Sequence, residues 1–187
     1  MGMKEEILAE CRQNMNKTIE ALSKEFTRIR TGRASTALLD GIKVSCYETK
    51  MPLDQVASLS IPESRLIMVK PWDQSIIGEI EKAILKSELG LTPVNDGKII
   101  RIPIPPLTEQ RRKELAKMAK KMAEEGKISI RNQRRESNEL FKELKNDKEI
   151  SEDELFRHQE EVQKITDEFI QKVDEVTAEK EKEIMEF

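Results

Sequence analysis

The sequence predicts an α+β protein of two domains, an elongated three-helix bundle into which a small β/α/β head domain is inserted. Three observations carry this. Apolar residues recur at steps of three and four through residues 3–30, 107–146 and 151–187, while between the first two stretches the period shortens to that of strands. Of the 187 residues, 37% are charged and only 4% aromatic, which suits bundles better than a large globular core.

In the first helix the apolar stripe runs Leu8, Cys11, Met15, Ile19, Leu22, Phe26 and Ile29, and it needs a partner to cover it. Gly32 suits the C-terminal cap, and Arg30 and Arg33 beside it either favour the helix dipole or carry a function. Beyond Ala34, Ile42, Val44 and Cys46 alternate with Lys43, Ser45 and Tyr47 as a half-exposed strand, and residues 65–70 form a more continuously apolar one. Ile76, Ile77, Ile80, Ile84 and Leu89 mark a short helix over 74–89, closed by Gly90. Asn95-Asp96-Gly97 then signals a turn before a strand at 98–104. Trp72, at a strand end, is expected to pack. Ile102-Pro103-Ile104-Pro105-Pro106 is held extended by its prolines.

The long helix follows, with Thr108 as N-cap and a span of about 60 Å for roughly 40 residues. Leu115, Met118, Met122, Gly126, Ser129 or Ile130, Gln133, Ser137, Leu140 and Leu144 form the expected seam. Lys113, Lys117, Lys120, Lys127, Arg131 and Arg134 form a second, basic stripe, with Arg135 and Lys142 at its edge. Such a stripe is either a solvated face laced by weak pairs or a contact for a polyanion. Residues 107–146 carry 12 Lys and Arg against 7 Asp and Glu, and between Glu125 and Glu136 every charge is basic. That favours the polyanion. Residues 147–187 hold 6 basic against 15 acidic residues, so the net charge of −3 conceals a basic helix beside an acidic one.

Ser151-Glu152-Asp153-Glu154 is a capping box opening the last helix, whose inward residues are Leu155, Val162, Ile165, Phe169, Val173, Val176 and Ile184. The short connection makes it an antiparallel neighbour of the long helix. Residues 1–30 and 107–187 therefore form the bundle and 31–106 the head. Their linkers, near 30–35 and 102–106, form a hinge of Gly32 on one side and Pro103, Pro105 and Pro106 on the other.

No residue set supports catalysis. His158 is the one histidine, expected on the surface, and no phosphate loop, nucleophile elbow or metal-ligand spacing occurs. Cys11 and Cys46 sit at apolar positions as buried free thiols, which suits a reducing cytoplasm. No apolar run approaches membrane length and no signal-peptide core opens the chain. The chain is expected to be a monomer without cofactor or metal, binding neither membrane nor DNA.

Four separated motifs, Arg30-Thr31-Gly32-Arg33-Ala34, Ile102-Pro103-Ile104-Pro105-Pro106-Leu107-Thr108-Glu109, Arg131-Asn132-Gln133-Arg134-Arg135 and Asp147-Lys148-Glu149-Ile150-Ser151-Glu152-Asp153, make the sequence resemble the bacterial ribosome recycling factors over essentially its whole length. The resemblance implies a three-helix bundle with an inserted head, roughly in the L-shape of a transfer RNA. It also implies action after termination, on large-subunit ribosomal RNA, with elongation factor G and its GTP separating the subunits. Arg131, Arg134 and Arg135 would be the main RNA contacts, extended by Lys113, Lys117, Lys120 and Lys127, with Arg30 and Arg33 near the bundle's tip. A helical adaptor or chaperone, its basic stripe facing an acidic protein, is the alternative.

Overall fold

A computed structural model describes residues 2–186; Met1 and Phe187, the outermost residues of the expected bundle, lie outside the described residues. In chain order the elements are α1 (Met3–Arg28), β1 (Lys43–Cys46), β2 (Thr49–Pro52), α2 (Leu53–Val56), β3 (Ala57–Glu63), β4 (Leu66–Pro71), α3 (Ile77–Lys86), β5 (Val94–Asn95), β6 (Ile100–Pro103), α4 (Glu109–Asn146) and α5 (Glu152–Glu186). They group into two compact units. One joins the chain up to Arg30 with Glu109–Glu186, and the other is Thr31–Thr108.

In the helical unit the ends are closed by the local chemistry of the sequence. Lys148 adopts φ 63°, which lets the Glu149 N–H donate to the Leu144 carbonyl at 2.9 Å and the Lys148 N–H to Lys145 at 3.1 Å. This satisfies the last carbonyls of α4. Two residues on, the Glu154 N–H donates to Ser151 Oγ at 3.2 Å and the Ser151 N–H donates to Glu154 Oε2 at 2.9 Å, the expected capping box. The Lys4 ammonium, at 2.6 Å, and then the Ser151 N–H hold the Glu154 carboxyl down at about 2. The stabilisation is present above the ordinary carboxyl value of 4.5 and disappears as pH falls towards 2.

The buried seam of α4 is Leu115, Ala119, Ala123, Gly126, Ile130, Ser137, Phe141 and Leu144. This corrects the expected seam. Met118 and Leu140 are each 41% exposed, and their neighbours Ala119 and Phe141 are buried instead. The larger apolar side chains set the expected phase, whereas the contact with α1 and α5 uses small residues that let the helices approach, with Phe141 filling one end. In α1, Ile7 is buried where Leu8 is only half-buried. In α5, Thr166 and Thr177 are buried while Leu155 and Val176 are half-buried. The threonine hydroxyls donate to the carbonyls of Val162 and Val173 at 2.7 and 2.6 Å, so neither is left unsatisfied. His158 is not a free surface residue either: its ring stacks on Phe141 with centroids 4.7 Å apart and planes 9° apart.

Gly126 is buried in this seam. A Cβ built there would lie 3.7 Å from Leu22 Cδ2, an ordinary contact. Because mid-helix glycine costs about 0.5 to 1 kcal/mol relative to alanine, Gly126→Ala should raise the melting temperature. A lower melting temperature would mean that α1 and α4 need the bare backbone here.

The second unit is a small α+β fold. β1 and β2 form a hairpin, and the other strands form an antiparallel sheet in the order β3-β4-β6-β5. Val44, Ile67, Val69, Ile80, Ile84, Ile100 and Ile102 are all fully buried. They come from one face of the strands and the inner stripe of α3, which ends at Lys86, a few residues before Gly90. β2 and β3 are absent from the sequence reading because Pro52 and Pro62 interrupt their patterns. Both prolines are tolerated: Pro52 closes its strand, and Pro62 lies on the edge strand where the register shifts between Ser60 and Glu63. Trp72 corrects another expectation, being 72% exposed where packing was expected. Cys11 and Cys46 are free and buried, and burial raises the Cys11 thiol above its ordinary value.

Candidate nucleic-acid interface

A single uninterrupted helix, Glu109–Asn146, carries the basic stripe, so its position around the axis decides what each cation meets. Lys127 and Arg134 lie roughly 40° to 60° round the helix from buried Ile130, at the border with α5, whereas Lys113, Arg131, Lys117 and Arg135 lie roughly 100° to 140° away. The border position uses up Lys127. Its side chain is only 17% exposed, 2.6 Å from Asp174 Oδ1 and 3.6 Å from Glu124 Oε1. The hydrogen bond to Asp174 raises its ammonium above the ordinary lysine value. This corrects its place on an open stripe: Lys127 ties α4 to α5.

Acidic partners also meet the first half of the stripe. Lys113 pairs with Glu109 at 2.9 Å, and Lys120 lies 3.8 Å from Glu181 of α5. Past Lys127 the pattern changes. Among the described residues, Arg131, Arg134 and Arg135 form no ion pair, as Lys117 in the first half also forms none, and Arg134 instead donates to the neutral Gln163 Oε1 at 3.2 Å. Gln163 is held in turn by donating to Asp167 Oδ1 at 2.8 Å. The sequence reading missed Gln163. Its signal was a neutral side chain within an acidic helix, at the place where a carboxylate would neutralise Arg134. Three guanidinium groups within residues 131–135 thus have no carboxylate partner and suit a polyanion, since Arg presents donors that match phosphate oxygens.

Arg30, exposed, closes the helical unit, and Arg33, also exposed, lies three residues on in the other. Gly32 has φ 79° but does not cap α1, which ends at Arg28 with Ile29 as its cap. Pro103 is the last residue of β6, opposite Leu66, and so belongs to the sheet. The Ala34 N–H donates to the Ser64 carbonyl at 2.7 Å and the Ile104 N–H to the Arg65 carbonyl at 2.8 Å. Both chain crossings are therefore fastened to the same β3–β4 turn.

A family profile described as ribosome recycling factor matches residues 22–185. The chain belongs to the ribosome recycling factor family. The ribosome-recycling factor of Desulfatibacillum aliphaticivorans is 60% identical over 185 residues, 99% of this chain and 100% of that protein. That of Nitratidesulfovibrio vulgaris (strain DP4) is 59% identical over 182 residues, 97% and 98% of the two chains. The solution structure of a ribosome recycling factor matches at 42% identity over 100% of both chains, with a TM-score of 0.74. The T. thermophilus ribosome recycling factor, described together with E. coli elongation factor G as bound to the E. coli post-termination complex, matches at 46% identity over 98% and 99%, with a TM-score of 0.62. The two-part α+β architecture is that of the ribosome recycling factors. Among the described residues, no helix is long and apolar enough to cross a membrane.

Proposed function

We propose that this chain recycles ribosomes after termination, binding large-subunit ribosomal RNA along α4 and, with elongation factor G and GTP, promoting separation of the subunits in the cytoplasm. Family membership over nearly the whole chain carries the reading. The run of Arg131, Arg134 and Arg135, with no carboxylate paired to it, supplies a surface suited to phosphate. Lys117 extends that surface, Lys113 and Lys120 border it, and Arg30 and Arg33 add positive charge at the chain crossing. GTP hydrolysis belongs to the partner, and the chain itself binds and transmits force without catalysis or cofactor. The test is light scattering of post-termination ribosomes given elongation factor G, GTP and this chain. Separation that fails in the full mixture, or that proceeds equally without elongation factor G, would remove the reading.

Force transmission depends on the crossings at 30–33 and 105–108. Pro105 and Pro106 fix φ on one side, while Gly32 at φ 79° permits a turn on the other. Pro105→Gly with Pro106→Gly should slow subunit separation while leaving binding to bare large subunits nearly unchanged, because the RNA-facing arginines lie on α4. Unchanged separation rates would reduce these segments to plain connectors.

A further inference from the structure

An aspartate followed by glycine is prone to ring closure, because glycine leaves its own amide nitrogen uncrowded beside the aspartate carboxyl. The nitrogen attacks Cγ: the N–Cγ bond forms, the Cγ–OH bond breaks, and the amide proton and the hydroxyl leave as water. Water then opens the succinimide. Opening at Cγ restores aspartate, and opening at the backbone carbonyl leaves isoaspartate, in which the chain runs through Cγ with no net change in atoms. The sequence has two such links, Asp40-Gly41 and Asp96-Gly97, and no Asn-Gly. Both are exposed in the same unit, and their glycines have φ of 83° and 89°. A Cβ at either glycine would meet nothing within 4 Å. Exposure, backbone conformation and crowding are therefore alike, and the partners of the reacting atoms make the difference.

At Asp96-Gly97 both reacting groups are occupied. The Gly97 N–H, the nucleophile, donates to Asn95 Oδ1 at 2.8 Å. Asp96 Oδ1 accepts from the Ile99 N–H at 2.8 Å and the Lys98 N–H at 2.9 Å, and Oδ2 accepts from Arg101 Nη1 at 2.6 Å. These bonds, Ile99 first and then Lys98 and Arg101, hold the carboxyl down at about 2. Ring closure runs through the neutral carboxyl, since hydroxide leaves more readily than oxide would. Relative to the ordinary value of 3.8, the clamp thins that neutral form by more than about ten-fold.

At Asp40-Gly41 neither group is held. The two are the central residues of a type II turn, Asp40 with φ −61° and ψ 137° and Gly41 with φ 83°. The bond across that turn, from the Ile42 N–H to the Leu39 carbonyl, is 3.3 Å long. Among the described residues, the Gly41 N–H donates to no acceptor, and the Asp40 carboxylate accepts no hydrogen bond and forms no ion pair. Rotation of the central peptide, the motion that interconverts type II and type I turns, carries the Gly41 nitrogen past the Asp40 Cγ.

We propose that Asp40 is a spontaneous modification site at which the folded chain forms isoaspartate, while the clamp on Asp96 spares the second link. The product has one extra backbone carbon between Leu39 and Ile42, both buried in the core of their unit, so its effect reaches beyond the surface.

The intact chain is kept warm at neutral pH and digested, and isoaspartate in each separated peptide is counted by enzymatic transfer of a labelled methyl group from S-adenosylmethionine to its free carboxylate. A second sample ages in urea. In the folded chain Asp40 should isomerise at least roughly ten-fold faster than Asp96. In urea the two rates should fall within about three-fold of each other, the allowance for residual structure. Asp40→Glu, which would need a larger ring, should remove the first signal and leave the second. Asn95→Ala and Arg101→Gln each open one side of the clamp and should raise the Asp96 signal several-fold without changing that of Asp40, whereas unfolding would bring the two together. Equal rates in the folded chain, faster reaction at Asp96, or isoaspartate at Asp40 only in urea would overturn the proposal. So would an Asp96 signal that neither clamp variant changes.

Discussion

Phe141→Ala should cost about 3 to 5 kcal/mol of stability, a large share of the roughly 5 to 15 kcal/mol that holds a domain folded. Phe141 is fully buried at the α4–α5 border, with the His158 ring stacked on it. Truncation removes both the buried area and the stacking surface, and the two helices can close the cavity only by moving together. Leu140 is the control. It is 41% exposed and lines a cleft of about 50 Å³ with Ile7, Cys11, Gln133 and Ser137, so truncation removes surface that is already partly wet. Leu140→Ala should cost roughly 1 kcal/mol or less. For a chain of this length the Phe141 loss corresponds to a fall in melting temperature on the order of 10 °C. Equal shifts for the two variants would place the seam one residue away from where the structure puts it.

That pair of residues also shows where sequence reading stops. Periodicity identified all three long helices, and the Ser151–Glu154 box located the start of α5 to the residue, because both signals are local. The phase of α4 is not local. Met118 and Leu140 fit a three-and-four pattern as well as Ala119 and Phe141 do. The choice falls to small residues buried in the seam, Ala119 and Ala123, which a hydropathy pattern undervalues. The head was legible where strands alternate, as at Val44 and Cys46, and illegible where Pro62 interrupts an edge strand or where Tyr47-Glu48 replaces the usual turn residues. Trp72 was misread for a related reason. Size and apolarity argue for burial, yet the inward positions of β4 go to Ile67, Val69 and Pro71, leaving the next residue on the outer face.

The basic stripe was legible as a stripe but not as a site, since nothing in α4 alone says which lysines meet carboxylates of α5. The distinction has a measurable consequence. Arg131→Ala and Arg134→Ala should each weaken binding to purified large subunits, by roughly 10- to 100-fold if each loses a charged hydrogen bond to phosphate. Each lost phosphate contact should also flatten the log–log salt dependence by about 0.7 to 0.9. Lys127→Ala should behave differently, because its ammonium is occupied by Asp174 at 2.6 Å. It should lower the melting temperature slightly and leave the salt slope unchanged. Gln163→Glu supplies the converse test: it places a carboxylate where Arg134 now meets a neutral oxygen at 3.2 Å, so it should stabilise the bundle a little while weakening RNA binding. Cosedimentation with large subunits across a salt series, paired with melting curves, reads both quantities on the same proteins. If Lys127→Ala flattened the slope as much as Arg134→Ala, charge would be working along the whole stripe. If neither arginine variant changed affinity or slope, α4 would be a solvated face and the RNA contact would lie elsewhere on the chain.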